Sequence, residues 1–168
     1  MIHRMEVEAI VEIPRGSRNK YEMNHETGAI WLDRMLFTAT QYPADYGFVP
    51  DTLAEDGDPL DVLVLLDEPT FPGCHISVRP VGVFWMSDEA GPDAKLLCVP
   101  AHDPRARGYK DLADLPEFLL AEIEHFFQVY KDVEPDKSVE TRGWEGAEAA
   151  ARAVEDARAR YARTSHAD

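Results

Sequence analysis

Residues 56–66 read DGDPLDVLVLL, an aspartate-rich turn that leads directly into an apolar strand. The glycine and proline are ordinary turn residues, and the Leu and Val run that follows is typical of a buried strand. Asp56, Asp58 and Asp61 therefore lie where a turn meets a strand, and their short side chains can converge on one point. Hard cations such as Mg²⁺ bind carboxylate oxygens held in this way. A polar turn without a ligand is the alternative interpretation of the same residues.

Alternation of apolar and polar residues predicts about five strands in the first two thirds of the chain. In EVEAIVEI the residues Val7, Ala9, Val11 and Ile13 share one face of a strand. The predicted strands cover residues 6–13, 29–37, 60–66, 76–86 and 94–100. This number is small enough to close as a barrel, so we expect a small five-stranded β-barrel.

The pattern changes to helical spacing near residue 113. Asp114 is a candidate cap, Pro116 suits an early helical position, and apolar residues from Leu119 to Tyr130 follow at helical intervals. The connecting segment EPDKSVETRGW precedes a second helix, which has a narrow apolar stripe of Ala150, Val154, Ala157 and Tyr161. We expect an α+β fold with two C-terminal helices against one side of the barrel, and a frayed tail at TSHAD.

The composition favours a single domain whose natural partners are cations. The chain has 168 residues and 45% apolar content, so we expect one domain over residues 1–168. Its 17 basic and 32 acidic residues give a formal net charge of −15, which argues against nucleic-acid and membrane-surface binding. Cys74 and Cys98 have no metal or disulfide spacing, which predicts a reducing, cytoplasmic location. Neither a secretion signal nor an apolar membrane span is predicted.

A second acidic turn, SDEAGPDAK, supplies Asp88, Asp93 and Lys95, and we interpret its Glu89 as a solvated loop residue. Two such turns can face each other at one mouth of a barrel and hold a pair of metal ions that activate water and clamp a phosphoryl group. A calcium EF-hand does not fit the first turn. Leu60 stands where that loop needs an oxygen ligand, and Asp61 stands where it needs glycine.

Cationic and hydroxyl side chains lie where they can hold a phosphate. Lys20 and Arg34 belong to early strands, and Tyr130 and Lys131 end the first predicted helix. Each of them, taken singly, fits an ordinary surface position. Their occurrence together with two aspartate turns favours an anion site.

These segments together resemble the soluble inorganic pyrophosphatases of the family I type, bacterial branch. The resemblance runs from about residue 11 to residue 150. It is carried by EIPRGSRNKYE (12–22), LDRMLFTATQYPADYGFVP (32–50), DGDPLDVLVLL (56–66), RPVGVFWMSDEAGPDAKLLCVP (79–100), LPEFLLAEIEHFFQVYKD (115–132) and GWEGAEAA (143–150). It implies an OB-like closed barrel, an inorganic diphosphatase activity and several Mg²⁺ ions per subunit, with Mn²⁺ or Zn²⁺ as substitutes.

The resemblance also implies roles for matching residues. The metal ligands are expected to be Glu12, Asp56, Asp61, Asp88 and Asp93. Asp58 corresponds to the general base that deprotonates the attacking water, and Glu22 is expected to act beside the metals and the substrate. The groups that grip the two phosphates are expected to be Lys20, Arg34, Tyr46, Lys95, Tyr130 and Lys131. Together they imply in-line attack on pyrophosphate by a metal-activated water, which pulls biosynthetic reactions that release pyrophosphate forward.

Bacterial relatives imply a homohexamer with histidines in its interface. His125 matches one interface position, whereas Val129 stands where a second histidine is usual, so the pH sensitivity of the assembly is open. His25 receives no catalytic role.

Two other functions remain as alternatives. An OB-fold protein that binds single-stranded nucleic acid requires a basic groove with stacking aromatics, which this acidic chain does not suggest. A different metal-dependent phosphohydrolase lacks support from any P-loop motif.

Overall fold

The computed structural model describes residues 5–165, which form strands, two α-helices and two short 3₁₀ turns. The strands are β1 (Val7–Ile13), β2 (Asn19–Met23), β3 (Ile30–Met35), β4 (Asp45–Phe48), β5 (Asp61–Val64), β6 (His75–Asp88), β7 (Gly91–Pro92), β8 (Lys95–Pro100) and β9 (Val139–Gly146). The helices are α1 (Glu117–Val129) and α2 (Ala147–Ser165). The predicted α+β class is therefore confirmed.

The main sheet has a ring of hydrogen-bonded strands at its centre. β1 pairs antiparallel with β4, β4 pairs antiparallel with β5, and β5 runs parallel to β8. β8 pairs with β6, and β6 also pairs with β1, so the path returns to its first strand. The long β6 extends beyond the ring and there pairs with β7 and β9. β2 and β3 form a separate hairpin.

The buried face of β1 is the one that its sequence predicts. Val7, Ala9, Val11 and Ile13 are all at most 4% exposed. Full burial of such aliphatic side chains stabilises a fold by about 1.5–3 kcal/mol each. On the neighbouring strand β4, Gly47 permits a close approach, because a Cβ there would lie 1.9 Å from the carbonyl oxygen of Ile10.

The two helices pack against different parts of the core. From α1, Ile123, Phe126 and Phe127 join a cluster that includes Phe84 and Tyr42. From α2, the predicted stripe residues Ala150, Val154 and Ala157 join a second cluster with the aliphatic side chains of β5 and β8. The expectation that both helices cover one side is therefore wrong. Among the described residues, no helix is both long and apolar enough to cross a membrane.

Several local predictions at the helices need correction. Pro116, not Asp114, is the N-cap of α1, because Asp114 ends a 3₁₀ turn and its carboxylate accepts hydrogen bonds from the backbone of Lys110 and Asp111. Tyr161 is 40% exposed and extends beyond the buried stripe of α2. Helix α2 continues through Ser165, so the start of TSHAD is helical, and residues 166–168 lie outside the described range.

The strand pattern is richer than the sequence predicts. Within the described residues, β2, β4, β7 and β9 have no predicted counterpart, and β9 replaces most of the segment that we expected to be a connection. The predicted strand 29–37 is shortened to β3, whose Trp31 and Leu32 are more than half exposed. β2, β4, β7 and β9 are short or polar. They therefore lack the alternation or the apolar run that identifies β1, β5, β6 and β8.

Candidate active site

A pocket of about 200 Å³ lies where the aspartate turn, the β2–β3 hairpin and the end of α1 meet. All of the site residues predicted from sequence line it. They are Glu12, Lys20, Glu22, Arg34, Tyr46, Asp56, Asp58, Asp61, Asp88, Asp93, Lys95, Tyr130 and Lys131, and the pocket adds Ala90 and Lys137. The structure thus brings together residues from both halves of the chain.

The aspartate turn is shaped by its glycine. Gly57 has φ +91°, a conformation that L side chains rarely adopt, and this lets the chain reverse between two aspartates. The Oδ1 atom of Asp56 accepts a hydrogen bond from the backbone N–H of Asp58 at 3.1 Å. No described residue donates a hydrogen bond to the exposed Asp58 carboxylate. That carboxylate is therefore open to a ligand in the pocket.

Lys95 lies at the base of the pocket and is only 1% exposed. The parallel pairing of β5 with β8 places it beside Asp61. Its Nζ donates hydrogen bonds to Tyr46 Oη at 2.8 Å, to Asp61 Oδ2 at 2.9 Å and to Asp93 Oδ2 at 2.9 Å. Burial acts to lower the pKa of Lys95, but the surrounding oxygens, led by Asp61, raise it well above its usual range. The ammonium therefore stays charged and holds two carboxylates in place.

Several carboxylates of the pocket hold their protons unusually tightly. Burial raises the pKa of Glu12 to about 7, although a hydrogen bond from the backbone N–H of Met23 acts in the opposite direction. Burial also raises the pKa of Asp56 and of Asp93 to about 6 each. Neighbouring negative charges add to this effect for both aspartates. A cation in the pocket is expected to reverse these shifts, because it favours the ionised form.

The β2–β3 hairpin supplies a positive wall. Lys20 and Arg34 are paired residues of the two strands. Both contact Asp33: the Nζ of Lys20 lies 3.2 Å from Asp33 Oδ2, and Nη1 of Arg34 donates to the same oxygen. The remaining terminal nitrogen of Arg34 lies 2.7 Å from Oε1 of Glu134. Each cation is therefore held on one side by a carboxylate while it lines the pocket.

The end of α1 supplies the opposite rim. Tyr130 is the last residue of the helical turn, and Lys131 follows it with its Nζ 3.3 Å from both Asp88 Oδ2 and Glu89 Oε1. Lys137 also contacts Glu89, at 3.1 Å. Burial acts to raise the pKa of Glu89, but a backbone hydrogen bond and the two lysines lower it to about 2. Glu89 is exposed in a loop, as the sequence predicts, and it also pairs with two lysines at this rim.

Sequence reasoning missed three charged residues around the pocket: Asp33, Glu134 and Lys137. Asp33 and Glu134 contact Arg34, and Lys137 lines the pocket directly. Glu134 is buried, at 7% exposure, which is unusual for a glutamate without a partner. Its contact with Arg34 is tertiary, so no local pattern in the sequence identifies it. The predicted loop histidine His25 lies outside the pocket lining, with its ring edge-on to Phe48 at 4.7 Å between centroids.

Within residues 5–165, no three His, Cys, Asp or Glu side chains lie close enough to surround one cation. At the base of the pocket, the ammonium of Lys95 contacts both Asp61 and Asp93. The donor set nevertheless suits a hard cation: seven carboxylates line one pocket, and the pKa values of three of them are raised.

Fold and site together define a hydrolase, with carboxylates and cations arranged around one small pocket. A family model described as inorganic pyrophosphatase matches residues 9–162. An inorganic pyrophosphatase of Streptomyces coelicolor is 63% identical over 142 residues, which cover 84% of this chain and 87% of that protein. One from Leifsonia xyli is 59% identical, with 88% and 91% covered. The chain therefore belongs to the family of soluble inorganic pyrophosphatases, and it is an enzyme.

A solved structure supports the same relationship. The crystal structure of the inorganic pyrophosphatase from Thermus thermophilus superimposes with a TM-score of 0.90 at 49% sequence identity. The match covers 94% of this chain and 91% of that one. The likeness thus extends over the ring of strands and both helices.

Proposed function

We propose that this enzyme hydrolyses inorganic pyrophosphate to two orthophosphates with the help of Mg²⁺. The observation that carries the proposal is that seven carboxylates and five basic side chains line one small pocket. Pyrophosphate is a compact polyanion. Carboxylates alone would repel it, so these carboxylates require bound cations. The basic side chains supply direct contacts to phosphate oxygens.

The residues that would hold Mg²⁺ are Glu12, Asp56, Asp61, Asp88 and Asp93. Their oxygens are the ligands that Mg²⁺ prefers, and burial raises the pKa values of three of them, Glu12, Asp56 and Asp93. When bound, the ions neutralise the substrate and lower the pKa of water from 15.7 toward about 7. Mn²⁺ or Zn²⁺ would substitute for Mg²⁺, because the same carboxylate oxygens also bind these ions.

Asp58 takes the proton from the attacking water in this proposal. Its carboxylate is exposed to the pocket and has no hydrogen-bond donor among the described residues, so both oxygens are available as acceptors. A general base must reach the proton within hydrogen-bond distance and be ionised at working pH. The neighbouring turn residues fix its backbone through the hydrogen bond between the Asp58 N–H and Asp56.

The cationic and hydroxyl groups bind the two phosphates and stabilise the departing one. Lys20 and Arg34 act from the hairpin, and Tyr130 and Lys131 act from the end of α1. Lys95 and Tyr46 act from the base, where Lys95 also contacts both Asp61 and Asp93. Glu22 lies on β2 near Lys20 and belongs to the proposed substrate-binding residues. Such preorganised donors stabilise the charge that develops in in-line phosphoryl transfer.

The proposal extends to architecture and setting. We interpret the ring of β1, β4, β5, β8 and β6 as a closed, OB-like five-stranded barrel, because each strand pairs with two others of the set. We treat residues 1–168 as one domain. We also propose a homohexamer that works in the cytoplasm, and pyrophosphate removal that pulls biosynthetic reactions forward. His125 is exposed on α1 and available for an interface, with Val129 half-buried one turn later.

The decisive experiment measures phosphate release from pyrophosphate at neutral pH. We expect rapid release by the wild-type protein with Mg²⁺, none with EDTA, and a loss of at least about a hundredfold in Asp58→Asn. ATP and a phosphomonoester serve as competing substrates. Glu148→Gln is a suitable control, because Glu148 is exposed on α2 and contacts only Arg152 in a surface pair. If folded, Mg²⁺-loaded wild-type protein released no phosphate, the proposal would fail.

A further inference from the structure

Glu134 is a buried carboxylate that does not itself line the pocket. It lies in the segment between α1 and β9, and its side chain is 4% exposed. Its Oε1 accepts a charged contact from Arg34 at 2.7 Å. Among the described residues, its Oε2 has no hydrogen-bond partner, and the same holds for the buried Nε of Arg34. The pair therefore joins a buried carboxylate to a partly exposed guanidinium through a single contact.

Stability alone does not account for this arrangement. Glu134 loses its water on burial, and a single contact with a partly exposed arginine does not generally offset that cost. A pair that also leaves two polar atoms unsatisfied is less favourable still. A role in orientation accounts for the burial: a guanidinium has five N–H donors in a rigid fork, and fixing it on one side directs the others.

The contacts with Asp33 and Glu134 do not use all the N–H donors of Arg34, and donors remain for a ligand in the pocket. One terminal nitrogen contacts Asp33 and the other contacts Glu134. Each of these nitrogens carries a second N–H, and the side chain lines the pocket while it is 21% exposed. Two parallel N–H groups match the geometry of two phosphate oxygens.

Glu134 also connects two separate supports of the pocket. Arg34 belongs to the β2–β3 hairpin, which forms its own sheet. Glu134 belongs to the turn that begins with Lys131, since its backbone N–H donates to the Lys131 carbonyl at 2.9 Å. The contact between Arg34 and Glu134 therefore fixes the hairpin relative to the end of α1, across the mouth of the pocket.

We infer that Glu134 is a positioning residue for the proposed reaction: it orients Arg34 toward a phosphate and sets the separation between Arg34 and Lys131. This inference rests on the proposed function. Glu134 does not itself touch substrate, so its contribution is transmitted through Arg34. Misplacement of a positioned group by about 1 Å can lower a rate roughly a hundredfold.

The test is a double-mutant cycle on kcat/KM for pyrophosphate with Mg²⁺. Glu134→Gln keeps the shape of the side chain and removes its charge. We expect it to lower kcat/KM about tenfold to a hundredfold when Arg34 is present. In an Arg34→Ala background the same substitution should change kcat/KM less than about twofold, because the group that it orients is gone. Glu148→Gln should leave kcat/KM unchanged in both backgrounds.

Failure of the inference on Glu134 and failure of the proposed function give different results. Equal fold losses in the two backgrounds would overturn the inference, since a merely structural carboxylate does not act through Arg34. Circular dichroism and Tm establish that each variant is folded, and Glu134→Asp, which keeps the charge on a shorter side chain, carries the same cycle if Glu134→Gln folds poorly. An inactive wild-type protein would overturn the proposed function instead.

Discussion

The base and the rim of the pocket hold their charges in different ways. At the base, Lys95 is almost fully buried and contacts Asp61, Asp93 and Tyr46 at 2.8–2.9 Å. At the rim, the side chains of Lys20 and Asp33 are 22% and 33% exposed, and their atoms are 3.2 Å apart. Water screens the rim and is excluded from the base. The base is therefore a fixed structural unit, whereas the rim can adjust to a ligand.

The largest effect is expected from Lys95→Met. The substitution leaves Asp61 and Asp93 next to each other in a buried site without their cation. Removal of one partner of a buried pair destabilises a protein by about 3–5 kcal/mol. We expect a corresponding fall in the free energy of unfolding, measured by denaturant titration without divalent ions, together with loss of pyrophosphate hydrolysis.

Mg²⁺ sharpens this prediction. A cation bound by Asp61 and Asp93 can substitute in part for the missing ammonium, so Mg²⁺ should raise the Tm of Lys95→Met more than that of the wild type. An unchanged free energy of unfolding in Lys95→Met would show that the base is no more rigid than the rim.

Lys20→Met is the matched change at the rim. Exposed ion pairs contribute about 0–1 kcal/mol, so the free energy of unfolding should change by less than about 1 kcal/mol. Activity should still fall, by roughly a hundredfold, because a phosphate contact is lost. Steady-state kinetics and denaturant titration on the same samples measure both quantities. A stability loss as large as that of Lys95→Met would remove the distinction between the two regions.

The pH dependence of stability separates the carboxylates of the base from ordinary surface acids. Burial raises the pKa of Glu12 to about 7 and that of Asp93 to about 6, above their usual values. The folded protein therefore binds protons more tightly than the unfolded chain. Without divalent ions, these groups should raise the Tm by a few degrees as the pH falls from about 8 to about 5.

Mg²⁺ should show the opposite trend over the same range. It binds the ionised carboxylates, so the increase in Tm that it produces should shrink as the pH falls. Thermal unfolding with EDTA and with Mg²⁺, at intervals across this range, measures both trends. Glu12→Gln is expected to weaken the trend in the EDTA series near neutral pH. An Mg²⁺ effect that is constant with pH would argue against these carboxylates as ligands.

The smallest effect concerns the two thiols, which repeat the contrast between interior and surface. Burial raises the pKa of Cys98 far above its usual value, whereas Cys74 is only half-buried. The thiolate is the reactive form. A thiol reagent should therefore modify Cys74 in the native protein and reach Cys98 only after unfolding, as mass spectrometry of peptides would reveal. Equal rates at both positions would indicate opening of the ring of strands.

The sequence predicts the base of the site better than its rim. Asp61 and Lys95 each begin an apolar strand, and such strands are recognisable because their residues are buried on both faces. β2 and β9 escape recognition, since these strands are rich in polar residues. The role of Glu134 is not visible in the sequence, because its partner Arg34 lies on a distant strand and tertiary contact alone brings them together.

The parallel pairing of β5 with β8 also has a consequence for the order of folding. It joins Asp61 to Lys95, 34 residues later, and strand pairing between segments so far apart in sequence forms more slowly than local helical structure. The base cannot exist before this closure. During refolding, recovery of pyrophosphate hydrolysis should therefore lag behind the far-ultraviolet signal of the helices. The Lys95 contacts make enzymatic activity itself a report on a long-range step in forming the ring.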